Sequence, residues 1–247
     1  MRAALHAEWT KIRTSPGTVW LLLAIIALSI GVSALASSAV HCCAADPAKT
    51  SLTGVEFGQA VVAILAVFAI SGEYGTGMIT LTLSAMPRRS AMLAAKAAVL
   101  AGLVFAAGVV AVLISLLLGR MLLNGNGFAV SLTDGAMLRA AFGSVLYLVL
   151  VGWLSLGLAT LVREAALAAG LVLALLYLFP VVAQVFADPD WYKRLQQIGP
   201  MTAGLAIQNT VNPAGQPIAP WAGLGVLAAW AAGSLLFGGL ALELRDA

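Results

Sequence analysis

The sequence predicts an all-α integral membrane protein with six transmembrane helices, and three observations carry that prediction. Hydrophobic residues make up 62% of the 247-residue chain and charged residues 9%, against the roughly 25% charged that keeps a soluble domain's surface wet. Apolar stretches recur six times along the chain, each close to the about 20 residues that cross hydrocarbon as a helix. None shows the in-out alternation of a membrane barrel, and an open strand would leave its backbone unpaired in lipid. No stretch is polar and long enough to fold separately, so residues 1–247 read as one transmembrane domain.

The first element is predicted over residues 3–14. Leu5, Trp9 and Ile12 recur at i, i+4 and i+7 on one helical face, His6, Thr10 and Arg13 gather on another, and Lys11 is the segment's further basic residue. This reads as an interfacial helix with Trp9 at headgroup level; a frayed tail is the alternative. Pro16-Gly17 is expected to break it. The run 18–40 follows basic residues as a signal peptide would, but it is long enough to span and is read as a retained first helix.

The remaining spans are predicted at 55–71, 96–118, 139–162, 165–186 and 219–242. Asn124-Gly125-Asn126-Gly127 and Asp134-Gly135 mark a loop between the third and fourth. Residues 188–217 are too long for a turn and too apolar for a solvated loop. Trp191, Leu195 and Ile198 share a helical face there, and Trp191 and Tyr192 suit a membrane interface. After Gly199-Pro200 a second short helix is expected over 201–210, ended by Asn212-Pro213. The pair reads as an outer re-entrant segment.

Orientation rests on lysine and arginine. With the N-terminus inside, the inner side holds Arg2, Lys11, Arg13, Arg88, Arg89, Lys96, Arg163 and Arg245; the outer side holds Lys49, Arg120, Arg139, Lys193 and Arg194. Eight against five, with the inner clusters flanking the first three spans, predicts both termini in the cytoplasm.

Several chemistries lack their residues. No His-Glu-x-x-His and no phosphate-cradling Gly-x-x-x-x-Gly-Lys-Ser/Thr motif occurs, and no metal site is expected. His6 and His41 fall on opposite sides, which disfavours a membrane hydrolase. Thirteen scattered basic residues make no nucleic-acid patch. Cys42 and Cys43 are adjacent, so a disulfide framework is not expected; two unpaired thiols or a vicinal disulfide remain. The span interiors are nearly free of acids, so uphill transport would draw energy from elsewhere.

The segment 72–90 is the one long polar interruption on the predicted inner side. Glu73 follows the second span, Gly75 and Gly77 permit an exit from the helix, Met78–Leu83 is apolar but short, and Pro87-Arg88-Arg89 closes it against anionic headgroups. An amphipathic helix over 76–85 and an ordinary hairpin loop fit equally on these grounds. Taken with Ala7-Glu8-Trp9-Thr10-Lys11-Ile12-Arg13-Thr14, the motif Gly72-Glu73-Tyr74-Gly75-Thr76-Gly77-Met78-Ile79 and Ala94-Ala95-Lys96, nearly the whole chain resembles a permease subunit of the ABC-2 type exporters, in the form common among high-GC Gram-positive bacteria. Relatives often carry a basic residue soon after the Gly-Met-Ile, where this chain has Thr80.

The resemblance implies a bacterial cell-membrane protein with a connecting helix before span one, a coupling helix between spans two and three, and short outer helices before span six. It implies a second permease subunit, identical or related, and a separate ATPase subunit that binds ATP and Mg, with no cofactor and no catalytic site in this chain. Glu73, Tyr74, Gly75, Thr76, Gly77, Met78, Arg88 and Arg89 become the ATPase-coupling candidates, Glu73 being either a mechanical link or a solvated helix-end carboxylate. Tyr147, Trp153, Tyr177 and Phe179 are candidates for a substrate path or for plain packing. The expected function is ATP-driven export of a hydrophobic or amphipathic cargo: an antibiotic, a modified peptide or a lipid-like molecule. The alternatives are an ATPase-independent carrier or channel and a non-transporting immunity protein.

Overall fold

A computed structural model of the chain describes residues 10, 16–40, 46–75, 89–125, 134–185, 189–211 and 215–244. All regular structure among these residues is helical, and six helices are long and apolar enough to cross a membrane. Apart from Thr10, the predicted interfacial helix lies outside the described residues, as do Cys42, Cys43 and positions 76–88 of the predicted coupling segment.

Helix α1 (Pro16–Ala39) begins at Pro16, the proline expected to end the preceding interfacial helix. At the first helical position the missing N–H of proline has no role to lose. Its buried residues, Ile25, Ser29, Ser33 and Ser37, repeat every four positions on one face. A short α2 (Pro47–Ser51), capped by Asp46, leads into α3 (Thr53–Gly75). The α3 helix starts before the predicted 55 and runs past the predicted 71 to Gly75, so Glu56 stands in its first turn. Gly54 N–H donates to Ser33 Oγ at 3.0 Å, and any side chain at Gly54 would overlap the Ser29 carbonyl. Small residues here let two backbones meet, which is how helices gain contact where lipid gives no hydrophobic drive.

Helix α4 (Arg89–Gly125) has 37 residues, about 55 Å at 1.5 Å per residue, and so outruns a hydrocarbon core of about 30 Å. It is longer than the predicted 96–118 on both sides, and the Asn124-Gly125 turn signal falls on its last residues. Lys96 therefore lies two turns inside the helix, where it is 1% exposed and donates from Nζ to Ala69 O at 3.0 Å.

Helix α5 (Gly135–Val162) is central: 67% of its span is buried, against 17% for α1. It packs on α3 and α4 and on the helices of the two later spans. Arg163 ends α5 in the left-handed region at φ 63°, its N–H bonding Ala159 O at 2.9 Å, and Glu164 caps α6 (Ala165–Leu173). The fifth span continues through a π-helical turn, Ala174–Leu178, into α7 (Phe179–Val185). Pro180 explains the wide turn, since its ring would crowd the carbonyl four residues earlier in a regular helix.

Two short helices follow, α8 (Pro189–Ile198) and α9 (Pro200–Leu205), the second extended by a 3₁₀ turn over Ala206–Gln208. The Trp191 and Ile198 side chains of the predicted α8 face stay more than half exposed to the protein's surroundings. Trp230 Nε1 of the last helix donates to Ile198 O at 2.9 Å and ties α8 to it. That helix, α10 (Pro220–Leu244), lies against α5 with the same direction. Their crossing is tight: a side chain at Gly157 would meet the Ser234 backbone, and one at Gly238 would meet Gly157 O.

Candidate functional site: a polar cavity at the far end of the bundle

Helix direction divides the bundle into two ends. The near end gathers the start of α1, the close of α3 and the α5–α6 turn; the far end gathers α2, the start of α3 and the α8–α9 segment. At the far end, Asp46 is the organising residue. Its Oδ1 accepts from Ala48 N at 3.1 Å and Lys49 N at 3.2 Å, capping α2. The same carboxylate accepts from Thr210 Oγ1 at 2.6 Å, Thr210 N at 2.5 Å and Val211 N at 3.0 Å. Burial pushes the Asp46 carboxyl up, but the hydrogen bonds from Thr210, Val211 and Lys49 outweigh it and hold the group below its ordinary value of 3.8. The α1–α3 link and the segment after α9 are thus clamped together by one side chain. Arg139 Nη2 adds a second tie, donating to Asn209 O at 2.6 Å.

Behind this clamp lies a cavity of about 280 Å³. Lys49 and Glu56 enter its wall from α2 and α3, Gln196 from α8, Gln208 and Asn209 from beyond α9, and Gln216 from the approach to α10. Amide, carboxylate and ammonium groups thus converge at a site that also has apolar walls at Met201, Leu205 and Ile218. Deeper in the bundle three polar contacts join the spans, while Gln59 Nε2 and the hydroxyls of Ser29, Ser37, Ser71 and Ser115 are buried without a hydrogen-bond partner among the described residues. Tyr147, fully buried, donates its hydroxyl to Gln59 Oε1. Tyr177 Oη donates to Glu56 O at 2.5 Å, and Gln208 Nε2 donates to Ser144 Oγ at 3.0 Å. In a lipid-surrounded bundle such partners come from within the protein.

The residues proposed for a substrate path therefore divide. Tyr147 and Tyr177 come together around Glu56 and Gln59, next to the cavity. Trp153 is a strut, its Nε1 donating to Ala97 O of α4 at 3.0 Å. Phe179 stacks where Gly199 leaves room for its ring. In the sequence Lys49 counts only as an outer-side charge, and Glu56 stands beside the start of a span with nothing local to single it out. Asp46, Gln59, Gln208 and Thr210 carried no expectation at all. Asp46-Pro47 before a helix is the one local signal, a cap followed by a first-turn proline.

At the near end, Glu73 and Gly75 lie in the last turn of α3 and Arg89 opens α4. Thr76, Gly77, Met78 and Arg88 lie outside the described residues. Tyr74 is half-buried, with the Arg163 guanidinium 5.6 Å over its ring. Arg163 Nη2 also reaches Ala241 O at 3.4 Å, so the α5–α6 turn joins the ends of α3 and α10. Glu164 accepts from Ala166 N at 2.9 Å and Leu167 N at 2.5 Å, and those bonds hold its carboxyl below the ordinary value. This turn is a helix cap in both directions.

Among the described residues no group of three or more His, Cys, Asp or Glu is placed to hold a metal. No protein-family model matches the chain, and no curated protein is significantly similar to it.

Proposed function

We propose that this chain is the membrane-spanning permease subunit of an ATP-driven exporter of the ABC-2 type. It works with a second permease subunit, identical or related, and with a separate ATPase subunit that holds ATP and Mg. One observation carries the reading: six span-length helices occur in an order that leaves two short helices, α8 and α9, between the fifth and sixth at the end opposite the close of α3 and the start of α4. A bundle built this way has a cavity under the short helices at one end and the ends of α3, α4 and α10 gathered at the other. Force applied at Glu73 and Tyr74 reaches α4 through Lys96 and α5 through Arg163. The sequence's Gly72–Ile79 motif supports the same reading. The cargo is hydrophobic or amphipathic.

A second reading, a carrier driven by an ion gradient, draws on Glu56, an acid set in the cavity wall at the start of α3. Affinity purification of the full chain from its native membrane, followed by reconstitution, separates the two. The exporter reading expects a nucleotide-binding subunit to be recovered in fixed proportion, with ATP hydrolysis uncoupled from cargo flux by Glu73→Gln. Flux that follows a proton or sodium gradient, ignores ATP and stops with Glu56→Gln would establish the carrier instead.

A further inference from the structure

The far-end cavity presents both signs of charge without pairing them. Glu56 and Lys49 stand in the same wall, yet among the described residues no ion pair joins them, and no hydrogen bond reaches the Glu56 carboxylate. A bare cation drawn to Glu56 would be opposed by Lys49, and a bare anion drawn to Lys49 would be opposed by Glu56. A molecule carrying both charges meets neither objection. Around the two charges, Gln196, Gln216, Gln208 and Asn209 offer amide donors and acceptors. The volume, about 280 Å³, is at the small end of ligand pockets, which run from roughly 300 Å³ upward, so a headgroup-sized body fits and a whole lipid or peptide does not.

We infer that this cavity is a binding site for a small zwitterion, with its ammonium against the Glu56 carboxylate and its anionic group against the Lys49 ammonium. Such chemistry has two sources: the headgroup of a zwitterionic lipid entering sideways, or a free zwitterionic solute entering from the aqueous side. In either case the exposed Gln216, one of the lining residues, stands at its mouth.

The test uses the purified full chain in nanodiscs made only of phosphatidylglycerol, so that no zwitterion is present at the start. Glycerophosphoethanolamine and dihexanoyl-phosphatidylethanolamine are the zwitterionic probes; glycerol 3-phosphate and ethanolamine carry charge of one sign only. Calorimetry should show at least one zwitterion binding tenfold or more tightly than either single-sign control. Glu56→Gln and Lys49→Gln should each erase that advantage while leaving the thermal midpoint in place. Gln216→Trp, which keeps both charges and fills the mouth, should also block binding, and it serves where a charge variant folds poorly. Binding of the acylated probe alone assigns the site to a lipid headgroup, and equal binding of both assigns it to zwitterions in general. Controls that bind as well as the zwitterions, no binding at all, or binding that survives both charge substitutions would overturn the site. No ATPase enters this assay, so its outcome is independent of the exporter reading.

Discussion

Asp46 accepts five hydrogen bonds, two of them from the start of its own helix and three from a segment 164 or 165 residues away. Charge-assisted bonds of this kind are among the stronger ones a protein makes, and here they close the far end of the bundle. Removing the charge leaves Thr210 and Val211 N–H groups short of their acceptor, a loss on the order of 1–3 kcal/mol. Asp46→Asn should therefore lower the thermal midpoint at neutral pH. The pH dependence has a definite sign. The folded-state carboxyl is held below its ordinary value of 3.8, so its stabilisation is complete above that value and is lost as the pH falls through the lower folded-state one. The gap between wild type and Asp46→Asn, followed by thermal unfolding in detergent, should be constant from neutral pH down to about 4 and should narrow only below that. A gap that is already closing between pH 7 and 5 would mean that another group governs the clamp.

Helices meet in this bundle through small residues. Gly54 against Ser29 and Ser33, and Gly157 and Gly238 across the α5–α10 crossing, are places where a Cβ has no room. Gly102 and Gly233, which sit in spans and look equivalent in the sequence, have open space beside them. Gly157→Val should thus destabilise the bundle by roughly 1–3 kcal/mol, the usual cost of overpacking, while Gly233→Val should leave the unfolding midpoint nearly unchanged. Parallel thermal or denaturant titrations of the two variants decide it, and equal effects would mean that helix propensity dominates over packing. This contrast shows what a sequence displays and what it conceals. Span-length apolar runs are legible because hydrocarbon thickness sets a length, and the six helices follow from it. Their ends are not, because a helix can continue past the lipid: one glycine costs only about 1 kcal/mol, so α4 carries on through Asn124-Gly125. Which glycine packs, and which lone glutamine in an apolar run is paired, depends on partners far along the chain. Gln59 with Tyr147 and Asp46 with Thr210 become neighbours only when the bundle closes.

The whole molecule has one further property on which its functional reading depends, the direction in which it sits in the membrane. The near end carries the close of α3, the start of α4 and the Arg163 junction, and the far end carries the clamp, the cavity and the two short helices. If an ATPase drives the protein, the near end must face the cytoplasm, because ATP is there. Lysine and arginine favour that orientation by eight to five, with the inner clusters flanking the first three spans. Accessibility tests it directly. With Cys42 and Cys43 replaced by serine, single cysteines at Gln216 and Glu243 report on opposite ends, since both positions are exposed, one before α10 and the other in its last turn. In intact cells an impermeant maleimide should label Gln216→Cys and spare Glu243→Cys, and permeabilising the cells should make Glu243→Cys reactive. The reverse pattern would place the near end outside, beyond the reach of any nucleotide-binding subunit. It would end the exporter reading while leaving the zwitterion site to stand or fall on its own binding measurement.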